Sequence, residues 1–197
     1  YDNYGYGNMR DYPLADHKYA IEQLAMRYNY IDIDKVGIHG HSGGGFMSTA
    51  AMCQYPDFFK VAVSCAGNHD NNIYNQWWGE THHGVREVKS FEKKTVKDSI
   101  TGKDTTISVE KIKFETKIPT NIELAKNLKG YLMLVTGDVD NNVHPANTYR
   151  VVNELILQGK DFDLLILPNQ GHAFDGPYKS YFEKKKRDYF TKYLLAE

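Results

Sequence analysis

Apolar residues fall along this chain in four short runs set between longer stretches of helical period, and that rhythm predicts an α/β fold. The runs cover residues 35–39, 61–65, 131–135 and 163–167 and read as strands. Residues 15–28 form an amphipathic helix with Ile21, Leu24, Ala25 and Tyr28 on one stripe. Residues 43–54 read as a helix stopped by Tyr55-Pro56, and residues 146–158 as one capped by Gly159. The last helix, 178–195, carries Tyr178, Tyr181, Phe182, Tyr189, Phe190 and Tyr193 at helical spacing. Strands alternating with helices predict four parallel strands joined by right-handed crossovers and flanked by helices. Residues 93–99 and 105–109 flank Thr101-Gly102-Lys103-Asp104 and predict a β-hairpin inserted near 93–110. Its polarity marks it as a surface excursion, first a plain hairpin, otherwise a lid beside the pocket or a contact for a further domain.

Composition narrows the function classes. The 197 residues form one domain long enough to bury a core. A formal charge of -1 argues against electrostatic binding of nucleic acid. The basic run Lys184-Lys185-Lys186-Arg187 lies on a predicted helix and reads as its solvated face. No apolar run is long enough to span a bilayer, and no leader peptide is legible. Cys53 and Cys65 belong to no Cys-x-x-Cys pair and read as buried free thiols. His69, Asp70, His82 and His83 match no ligand spacing, so no metal is assigned, and no cofactor is called for.

The chemistry concentrates in Gly37-Ile38-His39-Gly40-His41-Ser42-Gly43-Gly44-Gly45. Gly40, Ser42 and Gly44 form a Gly-x-Ser-x-Gly motif between a predicted strand and a predicted helix, the context of a nucleophile elbow. There the serine sits on a strained turn, its neighbouring glycines avoid collisions with backbone, and the first helical N–H groups face a developing negative charge. On the pentapeptide alone, a glycine-rich turn with a capping serine fits equally well.

Two later loops tip the balance. A hydroxyl needs a base and the base an orienting acid, which follow an elbow serine in the order acid, then histidine. The strand at 131–135 runs into Asp138-Val139-Asp140-Asn141-Asn142-Val143-His144, and the strand at 163–167 into Gly171-His172. Both loops leave the carboxyl ends of strands, where open α/β sheets gather their sites.

With Gly40-His41-Ser42-Gly43-Gly44, Pro56-Asp57-Phe58-Phe59-Lys60, Asp140-Asn141-Asn142-Val143-His144, Gly171-His172 and the opening Tyr4-Gly5-Tyr6-Gly7, the chain resembles the catalytic domain of the prolyl oligopeptidase family of serine peptidases, in its dipeptidyl peptidase IV branch. The likeness covers nearly all of the chain, departing mainly at residues 87–116. It implies the α/β-hydrolase fold, with Ser42 as nucleophile, Asp140 as orienting acid and His172 as general base. Asp138 is the rival acid and reads as a turn-capping carboxylate. His144 reads as a neighbour of a helix cap. His41, where the family often carries a bulky residue, is expected to shape the pocket entrance.

The resemblance carries further expectations. In that fold several strands precede the elbow strand, whereas about 34 residues do so here, so the chain reads as the C-terminal part of the domain, with early strands and a β-propeller expected upstream in the parent protein. The elbow strand would then expose an edge able to recruit a second copy, a homodimer contact. The Gly43 N–H would supply one oxyanion donor and an upstream residue the other, making the isolated piece a weak catalyst. Tyr74, Trp77 and Trp78, with Asn142 and Val143, would line the pocket for the residue before the scissile bond. Each tryptophan reads equally well as packing. The implied reaction is hydrolysis of peptide bonds after proline or a small residue. An esterase with the same triad and a non-catalytic binding module are the alternatives. Relatives of this kind are often exported in bacteria, a weak pointer of the parent toward the periplasm or the exterior.

Overall fold

The computed structural model describes residues 7–97 and 99–195. Helix α1 (Tyr12–Arg27) precedes strand β1 (Val36–His41), α2 (Gly43–Gln54) and β2 (Phe59–Cys65). Next come α3 (Gln76–His83) and the hairpin strands β3 (Arg86–Lys97) and β4 (Asp104–Glu115). A 3-10 turn at Ile122–Asn127 leads to β5 (Tyr131–Gly137), α4 (Ala146–Leu157), β6 (Asp163–Leu167) and α5 (Gly176–Phe190). Strands β1, β2, β5 and β6 form one parallel sheet in that order.

Both faces of this sheet are covered, which is why its central strands are apolar at nearly every position. In β2, Ala62 points to a layer holding Leu14 of α1, Ala50 to Cys53 of α2 and Val151 and Leu155 of α4. Val61, Val63 and Cys65 point the other way, toward Phe182 and Tyr189 of α5. Successive side chains of a strand alternate faces, so one short run serves two cores.

The predicted strands and the four helices are present, with small shifts at their ends. The α1 stripe is a correction. Leu14 is the buried anchor and Ile21 packs on the core, but Leu24 and Tyr28 are exposed. The last helix also differs, since its α-helical part ends at Phe190 and residues Thr191–Leu195 form a π turn. That turn brings Tyr193 onto Tyr131, with rings stacked 4.0 Å apart.

Helix α3 and the 3-10 turn are absent from the sequence reading. Only Gly79 and His83 of α3 are buried, so it displays no apolar period. The hairpin is longer than predicted. Its twelve-residue strands pair from Arg86↔Glu115 to Lys97↔Asp104. Every position except Glu115 is exposed, and Lys89–Glu110 and Glu92–Lys111 pair across it. Both cysteines are free and buried.

Candidate active site

Ser42 sits between β1 and α2 with φ 58°, a left-handed value that a side chain resists. Main-chain bonds hold it there. Ser42 N–H donates to the Cys65 carbonyl (2.9 Å), and the Ser42 carbonyl accepts from Phe46 N–H (3.0 Å). The Phe46 bond is the first of the helix, so the amides of Gly43 and Gly44, both exposed residues, precede the ladder and can face an anion.

The glycine requirement coincides with the motif at Gly40 but not at Gly44. A Cβ on Gly40 would lie 2.2 Å from the Gly44 carbonyl oxygen, and one on Gly45 2.4 Å from that of Cys65. Gly43 and Gly44 have open space. The collisions expected of the motif glycines therefore fall on Gly40 and Gly45, because α2 leans on β2 through Gly45.

The acid and histidine loops are fastened to each other. Asp138 N–H donates to the Leu167 carbonyl (3.3 Å), and Val139 N–H to that of Gln170 (3.2 Å). This brings Asp140 to His172, with Nδ1 2.8 Å from Oδ2. The other oxygen of Asp140 accepts from the amides of Asn142 and Val143, each at 2.9 Å. Asp140 is 2% exposed, whereas Asp138 is solvent-facing. A carboxylate only accepts, so Nδ1 of His172 carries the proton and Nε2 keeps its lone pair. Among the described residues the Ser42 hydroxyl has no hydrogen-bond partner. The His172 ring lies 4.8 Å from that of His41, the residue next to Ser42.

The pocket candidates divide. Tyr74 donates its hydroxyl to Asn142 Oδ1 (2.7 Å), joining the loop after β2 to the acid loop. Trp78 packs edge-on to Tyr74 and Trp77, and lies 3.9 Å from His82. Neither tryptophan is core packing, since Trp77 is 63% exposed and Trp78 is half-buried. Val143 is buried and helps hold Asp140 through its amide.

Of the other histidines, His144 accepts from the Ala146 amide (3.2 Å), as expected of a cap neighbour. His69 is fully buried, and burial pushes its pKa down to about 3. Asn121 donates to His69 Nδ1 (3.0 Å) and to the Phe46 carbonyl (2.8 Å), pinning the segment after the hairpin to the first turn of α2. No sequence signal marked Asn121. Among the described residues no three His, Cys, Asp or Glu side chains converge as a metal site. No described helix is long and apolar enough to cross a membrane.

The family model for the prolyl oligopeptidase family matches residues 1–197. The chain belongs to the prolyl oligopeptidase family. Human dipeptidyl peptidase 8 is 29% identical over 164 residues, which cover 83% of this chain and 16% of that protein. Mouse inactive dipeptidyl peptidase 10 is 21% identical over 185 residues, covering 93% of this chain and 20% of that one. A crystal structure from Bacteroides ovatus, assigned as a dipeptidyl aminopeptidase IV, superposes with a TM-score of 0.78 at 26% identity, covering 98% of this chain and 24% of that one. The chain thus spans only 16% of dipeptidyl peptidase 8. It is of serine-peptidase type, with the α/β-hydrolase architecture of this family.

Proposed function

We propose that this domain hydrolyses peptide bonds after proline or a small residue, through an acyl-enzyme on Ser42. The observation that carries the proposal is the Asp140–His172 contact of 2.8 Å, which leaves Nε2 as the basic nitrogen beside the elbow. His172 Nε2 takes the Ser42 proton as Oγ bonds to the substrate carbonyl carbon. The developing oxyanion faces the Gly43 N–H at the start of α2, where the helix dipole favours negative charge. The peptide C–N bond then breaks, and the imidazolium returns its proton to the leaving amine. Water repeats the sequence to free the acid. Tyr74, Trp78 and Asn142 offer the aromatic and amide surface for a pyrrolidine ring and the preceding carbonyl. The Gly43 N–H is one oxyanion donor, and with no second one assigned the 197 residues are expected to turn over slowly.

A non-catalytic reading has one specific support, the resemblance to a relative named inactive. Reaction with a fluorophosphonate separates the two. Labelling at Ser42 that vanishes in Ser42→Ala and His172→Gln is expected. Asp140→Asn should lower turnover by about 10⁴-fold, as loss of the orienting acid does elsewhere, while Asp138→Asn leaves it unchanged. An unlabelled wild-type chain, or equal effects of the two aspartates, would overturn the proposal. Esters of aminoacyl-proline and simple acyl esters then separate peptidase from esterase, since only a peptidase requires the proline.

A further inference from the structure

His41 contacts Cys65, His172 and Phe174, and among the described residues no hydrogen bond or ring contact joins it to Tyr74, Trp78 or Asn142. Its strand position pairs directly with Cys65 on β2, and Nδ1 lies 3.3 Å from Cys65 Sγ. Its ring tilts 57° to that of His172 at 4.8 Å, and Phe174 closes the far side edge-on at 6.3 Å. His41, Cys65 and Phe174 line a cleft of about 390 Å³ between β1, β2, the histidine loop and α5.

We infer that His41 is a positioning residue for His172, held in one tautomer by the Cys65 thiol, so that a Cys65–His41–His172 chain ties the nucleophile strand to the loop bearing the base. This inference rests on the reading of His172 as general base.

The chemistry of the contact sets its direction. Cys65 is 1% exposed, and burial pushes its thiol up to about 12, so sulfur keeps its proton. A protonated thiol can donate, and in the proposed chain His41 Nδ1 accepts, which puts the ring proton on Nε2. Burial, followed by repulsion from His172, lowers the His41 pKa and keeps the ring neutral. The charged groups around the chain are Asp140 in the acid loop and Lys179, Glu183 and Lys186 on α5. The ring contact sets the plane of His172 while Asp140 fixes its rotation.

The test compares His41→Phe, Cys65→Ala and Cys65→Ser in the 197-residue chain. His41 is exposed, and phenylalanine keeps its bulk without its hydrogen bonds. Fluorophosphonate labelling of Ser42 should slow by about ten- to a hundredfold in His41→Phe, the scale of a small misplacement of a catalytic group. Cys65→Ala should slow it in the same sense, and Cys65→Ser, which keeps a donor, should restore the wild-type rate. The nitrogen resonances of His41 should report a proton on Nε2 in the wild type. The low-field Nδ1–H proton of His172 should move in His41→Phe and Cys65→Ala. A proton on His41 Nδ1, or a His172 resonance unmoved in both variants, would overturn the inference. These resonances are read without turnover, so an unreactive Ser42 would sink the proposed function and still leave the chain testable.

Discussion

Gly137 lies against the carbonyl of Gln170, and a Cβ there would come within 2.1 Å of that oxygen. One close approach thus joins the end of β5 to the loop after β6, and through them Asp140 to His172. Gly137→Ala should push the two loops apart and cost about 1–3 kcal/mol of stability, the usual range for overpacking. Its effect on Ser42 labelling should exceed its effect on the denaturation midpoint. A variant that labels at the wild-type rate would show that the approach does not matter to the site.

The elbow glycines should separate sharply on substitution. Gly40→Ala meets the Gly44 carbonyl oxygen at 2.2 Å and should lose about 1–3 kcal/mol. Gly44→Ala meets nothing within 4 Å and sits in a helix, where alanine gains about 0.5–1 kcal/mol over glycine. Urea midpoints of the two variants should shift in opposite directions, and a shared sign would contradict the geometry.

Acid should destabilise the fold through buried neutral histidines. His69 is held near 3 by burial alone, and His83 near 4 by burial and then the charges of His82 and Arg86. The unfolded chain takes up these protons near the ordinary 6.5 while the folded one refuses them. Stability is therefore whole above that value and falls on acidification toward about 3, by up to ~1.4 kcal/mol per pH unit for each group. Unfolding measured across this window should show the slope, and His69→Gln should flatten it. A pH-independent stability between those limits would contradict the burial of both rings.

Strand β1 is the edge of the parallel sheet and, among the described residues, pairs with β2 only. An uncovered parallel edge offers a row of unpaired amides and carbonyls to another chain. We propose that two copies of the 197-residue chain meet there. Small-angle scattering should give the mass of a dimer, with slow amide exchange along Val36–His41. A monomer with those amides exchanging fast would rule the contact out.

Much of this protein was legible in the one-dimensional pattern. The four sheet strands read as apolar runs because two cores demand side chains from both of their faces, as Val61, Ala62 and Val63 illustrate. The glycine at 159 and the proline at 56 marked helix ends because backbone conformation is a local property. Ser42, Asp140 and His172 could be proposed together because each stands beside a strand end, where local signals are dense. Contacts between distant segments had to wait for the tertiary structure. Whether Asp138 or Asp140 turns inward depends on how the loop lies against Gln170, and the needed glycine is Gly45 rather than Gly44 because of where β2 runs. Helix α3 and the Asn121 anchor were silent because neither shows an apolar period. The chemistry of His41 depends on a neighbour 24 residues away in sequence and 3.3 Å away in space, a distance that only packing sets.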